Sequence, residues 1–254
     1  MPNRVGGHVA ATPLPIKILL PASIETVWKA FREPEIIRQW HGWEYDGIDE
    51  EIKAIYQDGT TVHQEDRALK IGGHWFAFES TGPDQTSVEV SRVALTGSAI
   101  HSLDWDKFYD EVDAGWLSFL QQLRFYLARH RGEIRRTVFL SGDAISANPQ
   151  PITELLGFGP LPSAGGGQRY RATGVGSPLE GEVWFHTANQ IGVTVDSWGD
   201  GLLLLAYPPT LDRKFGALSA TLTTYGMDGA AFAKLALEWT TWWDDHYTTP
   251  AEPP

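Results

Sequence analysis

Residues Val27–Gly47 read VWKAFREPEIIRQWHGWEYDG and place Trp28, Trp40, Trp43 and Tyr45 around a proline. Working outward, PIKILL (Pro15–Leu20) is β-rich and ends at Pro21. Ser23 then offers a helix N-cap, and Glu25 puts negative charge in the first turn, where the helix dipole favours it. Ile24, Val27 and Phe31 recur at i, i+3 and i+7, one face of a short helix. Pro34 suits the first position of a second helix, with Ile36, Ile37 and Trp40 on its inner face and Gly42 as its stop. Trp43 and Tyr45 fall beyond that stop and are expected at a pocket mouth rather than in the helix.

From Glu51 to Leu103 the texture becomes that of an antiparallel meander. EIKAIY, HWFAFES and TSVEVSRVAL are predicted strands, separated by DG, GG and TGPD; TTVHQEDRALK fits either reading. A long helix is predicted from about Asp110 to His130, because Trp116, Leu120, Leu123 and Leu127 form an i, i+4, i+7, i+11 stripe. Gly132 is a stop. The same grammar then restarts. RRTVFLSG is a predicted strand and PITELLGF a short helix. EGEVWFHTAN, IGVTVDSW, GLLLLAYPP and ALSATLTTY are predicted strands, and Asp228–Tyr247 a closing helix striped by Phe232, Leu235, Trp239, Trp242 or Trp243, and His246. Aligning Asp113 with Asp228 sets the two long helices about 115 residues apart. The order of elements repeats although the residues do not, which is a duplication at the level of pattern.

This order predicts an α+β chain in which each antiparallel sheet is covered by one long helix and short ones. The expected division is a flexible N-terminus (1–13), a first domain (14–132), a second, divergent domain (133–247) and a disordered tail (248–254). The whole chain has 254 residues, a net charge of −12, eleven tryptophans and no cysteine. The acidic balance argues against nucleic-acid and anionic-membrane partners, which draw on Lys and Arg. The lack of cysteine removes disulfides, thiolate nucleophiles and Cys-ligated metals, and suits a reducing compartment. No stretch has signal-peptide or membrane-span character, so a cytoplasmic location is expected.

The first half resembles the START/Bet v 1-like helix-grip (SRPBCC) superfamily, and within it the group named after the activator of the heat-shock-protein-90 ATPase. The likeness rests on PASIETVWKAFREPEIIRQWHG (Pro21–Gly42), the pair Gly72–Gly73 before a strand, and AGWLSFLQQLRFYL (Ala114–Leu127). Val27, Trp28, Ala30, Phe31, Pro34, Glu35 and Trp40 occupy the helical-pair motif, and Gly115, Trp116, Leu120 and Leu123 that of the last helix. The second half keeps only the order of elements. The resemblance implies two helix-grip domains, each a curved antiparallel sheet wrapped around a long C-terminal helix, with short helices after the first strand. It also implies an apolar cavity between each sheet and its helix. Candidates to line the first are Trp43, Tyr45, His74, Phe76, Phe78, Trp105, Trp116, Phe119 and Leu120, and to line the second Trp184, Trp198 and Trp239.

Motifs for chemistry are sparse. The histidines form no H-E-x-x-H or H-x-H pair, so neither a metal nor a cofactor is expected. No G-x-S-x-G elbow is present. SAGGGQRYRATGVG (Ser163–Gly176) lacks the G-K-[ST] of a phosphate loop. The acidic run Asp104–Asp113 suits a helix N-terminus. The leading expectation is therefore a carrier-type protein for a small hydrophobic molecule, with no catalytic residue assigned. Two alternatives stand beside it: a polyketide cyclase- or hydrolase-like enzyme using His41, His74 or Asp104, and a chaperone-associated interaction protein.

Overall fold

The computed structural model describes residues 15–93, 103–146, 150–161, 166–207 and 218–248, with residues 103–111 described by backbone alone. The expected N-terminus (1–13), residues 249–254 of the expected tail, and the side chains of Asp104 and Trp105 lie outside the described residues.

The first half opens with β1 (Ile16–Leu20), whose alternate residues Ile16, Ile18 and Leu20 point inward. Ser23 caps α1 (Ile24–Ala30), its side chain accepting from Thr26 N. Pro34 opens α2 (Pro34–Ile37). The Trp40 indole donates to Ala30 O at 2.9 Å and so ties the end of the second helix to the first. The stretch expected as the strand EIKAIY is instead helical: α3 (Ile48–Ile52) widens into a π-helical turn over Lys53–Asp58. Ile48, Ile52 and Tyr56 are buried at i, i+4 and i+8, and Asp49, Glu50 and Glu51 fill the first turn. That helical period overrides the β-branched content. Strands β2 (Thr60–His63), β3 (Ala68–Ile71), β4 (His74–Gly82) and β5 (Gln85–Arg92) complete an antiparallel sheet of order β1-β5-β4-β3-β2. The ambiguous TTVHQEDRALK is thus the β2–β3 hairpin. The long helix α4 (Leu103–Arg129) follows, about 40 Å in length.

The second half holds β6 (Arg135–Ala144), α5 (Ile152–Leu155), β7 (Arg169–Ala172), β8 (Leu179–His186), β9 (Gln190–Val195), β10 (Gly201–Ala206), β11 (Leu218–Tyr225), α6 (Gly229–His246) and β12 (Tyr247–Thr248). Its antiparallel sheet runs β12-β6-β11-β10-β9-β8-β7. In both sheets the first strand of the half pairs with its last long strand, β1 with β5 and β6 with β11. Each half therefore holds one antiparallel sheet and one long helix after it, and the fold class is α+β.

The halves differ in how their sheets are covered. Strands β9 and β10 are buried at every position. Period-2 geometry means that both faces of the sheet are covered. Leu203, Leu205, Ala220 and Leu222 pack with Leu235, Trp239 and Trp243 of α6. The intervening Leu202 and Tyr225 pack with the first half's core, against Phe125 of α4. The layers thus run first sheet, α4, second sheet, α6. On α6, the expected stripe members Phe232 and His246 are only half-buried, and Arg136 lies over the Phe232 ring at 3.8 Å.

Candidate functional site

The opening stretch does more than start the first domain: its end joins the halves. Gly42 takes a left-handed φ of 51° and turns the chain toward β6. Glu44 then clasps Thr137: its N–H donates to Thr137 Oγ1 at 2.6 Å, and Thr137 N donates to Glu44 Oε2 at 3.0 Å. Arg135 N donates to Gln39 Oε1 at 2.8 Å. The Arg135 guanidinium, 2% exposed, donates to His41 O at 2.6 Å, Gly42 O at 3.2 Å and Gln122 Oε1 at 3.1 Å. Burial brings its pKa down to about 10, so it stays a cation at neutral pH. Trp43 stacks on Phe139 with centroids 3.5 Å apart and planes 5° off parallel.

Beyond this seam, α4 and the second sheet stand apart and leave a cavity of about 430 Å³. That is the size of a small-molecule site. Its walls are of three kinds. The Trp43–Phe139 stack, Phe119, Leu204, Ala206 and Leu218 are apolar. Ser118, Ser141, Ser219, Thr221, Gln122 and Gln190 are polar and uncharged. Ala114 and Gly115 are small. Leu218 at the start of β11 aside, the residues from β6, β10 and β11 share one parity, the α4-facing one, because these strands are antiparallel neighbours in register: Phe139 opposes Thr221, and Ser219 opposes Ala206.

One glycine makes room for this space. Gly115 lies in the middle of α4, where glycine costs about 1 kcal/mol relative to alanine. Nothing stands within 4 Å of where its Cβ would be, so close packing does not demand it. Its missing side chain leaves the cavity wider at the expense of helix propensity. On β9 the reason is the reverse: a Cβ at Gly192 would collide with the ring of Phe185.

Gln190 is the most constrained polar group in the wall. It is 2% exposed, its amide donates to Ala114 O at 2.7 Å, and its Oε1 has no partner among the described residues. A buried acceptor left unpaired costs about 1–3 kcal/mol.

Of the residues expected to line cavities, Trp43 and Phe119 stand at this one. Phe76, Phe78, Trp116 and Leu120 lie on the opposite side of α4, in the first-half core. There Phe76 meets Trp116 at 4.7 Å and Phe31 meets Trp40 at 5.0 Å. Trp198 and Trp239 pack together in the second core, 5.7 Å apart. Trp184 sits at a break in the β8–β9 register and reaches back to α4, with the Arg124 guanidinium 4.5 Å from its ring. Its indole donates to Gln121 O at 3.3 Å. Tyr45 is 43% exposed and donates to Glu51, which lifts its phenol to about 12.

The two described acid–base candidates sit in networks of their own. His74 meets Asp113 Oδ1 at 2.7 Å, and Arg92 Nε donates to Asp113 Oδ2 at 2.8 Å. His41 bridges Glu51, at 2.9 Å from Nε2, and Tyr56 OH, at 2.9 Å from Nδ1. Its hydrogen bond holds the Glu51 carboxyl below the usual range, and burial pushes the Tyr56 phenol well up. Phe119, 4.6 Å from the His41 ring, stands between that chain and the cavity. A second hollow of about 400 Å³ lies beside α5, walled by Phe158, Ile191, Glu154, His186 and Tyr207 among others. Among the described residues no group of three His, Asp or Glu could hold a metal ion. No described helix is long and apolar enough to cross a membrane.

Gln122, Phe139, Gln190 and Gly115 were not expected at a site. Their sequence signals were present: an unbroken apolar strand at Gly201–Ala206, which implies a sheet covered on both faces, and a glycine inside a strong helix.

No family model and no curated protein matches the chain. Solved structures with related architecture do. The di-domain ARO/CYC StfQ from the steffimycin biosynthetic pathway is 11% identical, covers 92% of this chain and of its own, and has a TM-score of 0.33. The di-domain ARO/CYC BexL from the BE-7585A biosynthetic pathway is 11% identical, with coverage of 93% and 98% and a TM-score of 0.33. DynU16, a putative protein in the dynemicin biosynthetic locus, is 16% identical, with coverage of 90% and 93% and a TM-score of 0.27. Likeness at this level carries no functional argument.

Proposed function

We propose that this chain binds a small, flat, uncharged molecule between its two halves, in the cavity bounded by α4 and the α4-facing side of the second sheet. One observation carries the reading: a space of about 430 Å³ walled by stacked aromatic rings, aliphatic side chains and neutral hydrogen-bonding groups. Rings offer flat faces to a flat ligand, and a lining without charge disfavours a charged one, whose desolvation would go uncompensated. The mid-helix Gly115 supports the reading, since it enlarges the space where packing does not require it.

The role that fits is carriage or sequestration. Acid–base catalysis needs an ionisable group within reach of the ligand, and none of the described residues that line this cavity is ionisable. A chaperone-docking role calls for a contiguous exposed apolar patch. The large hydrophobic side chains most exposed among the described residues, Leu19, Tyr45, Val62, Ile134, Ile145 and Leu237, stand on separate elements or connections.

The test is titration with three-ring aromatics followed by tryptophan fluorescence, comparing the native chain with Gly115→Leu. The native chain should show saturable quenching. Gly115→Leu, which fills the space, should lose at least about tenfold in affinity, equivalent to about 1.4 kcal/mol. Equal binding by both proteins would place the ligand elsewhere.

A further inference from the structure

The cavity has two glutamines in its wall, and the protein fixes their amides in opposite senses. Gln190 spends its N–H on Ala114 O, which leaves Oε1 as the group with no partner. Gln122 spends its Oε1 on the Arg135 guanidinium, which leaves its NH2 as the donor; no acceptor for it stands among the described residues. Neither amide can flip without cost. Turning Gln190 would set its oxygen against a carbonyl oxygen, and turning Gln122 would set its NH2 against a guanidinium. Arg135 has a further effect. Its buried charge pulls on the Gln122 oxygen and makes the amide N–H a stronger donor.

We infer that Gln190 and Gln122 form a one-acceptor, one-donor pair that selects flat, neutral ligands carrying both a hydroxyl or N–H and a carbonyl. The hydroxyl donates to Gln190 Oε1, and the carbonyl accepts from Gln122 Nε2. Hydrocarbons of the same shape leave both amides unpaired and bind more weakly. This rests on the binding reading above and adds the chemistry of the ligand to it.

Four compounds with one skeleton separate the possibilities: fluorene, fluorenone, hydroxyfluorene and hydroxyfluorenone. Each is titrated against the native chain, Gln190→Met, Gln122→Glu and Gln122→Met, with Gly115→Leu as the blocked control. The native chain should prefer hydroxyfluorenone over fluorene by roughly tenfold for each hydrogen bond gained. Gln190→Met should erase the preference for the hydroxyl and keep that for the carbonyl. Gln122→Glu keeps an oxygen for Arg135 and gives that cation a carboxylate. It should therefore be at least as stable as the native chain while losing the preference for the carbonyl. Gln122→Met checks the same loss without adding charge. If the four compounds bind the native chain equally and Gly115→Leu blocks them all, the selectivity is overturned and the cavity remains a binding site. Preferences that survive in the glutamine variants overturn it in the same way. If none of the four binds, the selectivity and the binding reading fall together.

Discussion

The two faces of α4 are built to opposite ends. Toward the first sheet it presents Trp116, Leu120 and Leu123, which join Trp40, Phe31 and Phe76 in a packed aromatic core. That face closes at Asp113, fully buried and held by His74 and Arg92. Toward the second sheet it presents Ala114, Gly115, Ser118 and Gln122, small or neutral-polar side chains that leave the space open. Many buried rings mark a filled core here. The site lies where small residues, amides and only a few rings meet.

The contrast makes predictions of decreasing size. Trp40→Ala cuts a fully buried ring from the packed side and should cost about 3–5 kcal/mol in chemical denaturation; a loss below about 1 kcal/mol would mean that side is not filled. Asp113→Asn weakens the partly buried ion pair with Arg92 and should cost about 1.5–3 kcal/mol by the same measurement. On the open side the sign reverses. Gly115→Ala should raise stability by about 1 kcal/mol through helix propensity alone, with ligand affinity nearly kept.

The smallest effect is in pH. Glu51 has its pKa lowered from 4.5, chiefly by the hydrogen bond from His41. A depressed carboxyl adds stability above its unfolded pKa and loses it as pH falls through the folded one. The native chain should therefore destabilise more steeply below pH 4.5 than Glu51→Gln does, by a small margin because Glu51 is partly exposed. Identical profiles would detach the His41 chain from the stability of the seam.

The fold was legible because its signals are local. Ser23, Pro34 and Gly42 mark helix ends by capping and turn chemistry that acts within a few residues. EIKAIY misled because the window began at Glu51 and cut off Ile48, the residue that completes the helical spacing with Ile52 and Tyr56. The site was less legible. Trp43 and Phe119 were among the expected residues, but Gln122 and Gln190 owe their meaning to partners far along the chain, Arg135 and Ala114. No periodicity announces which amide end a distant residue will occupy. The hint that could be read was β10: a strand with no polar face belongs in the middle of layers, so something from the first half had to cover it.

The most direct test of the central claim is a crystal structure of the chain soaked with hydroxyfluorenone. Density between α4 and strands β10 and β11, with the ligand oxygens at Gln190 and Gln122, is the predicted result. Density on the other side of α4, among Phe76, Trp116 and Leu120, would contradict it and return the site to the gap between the first sheet and its own helix.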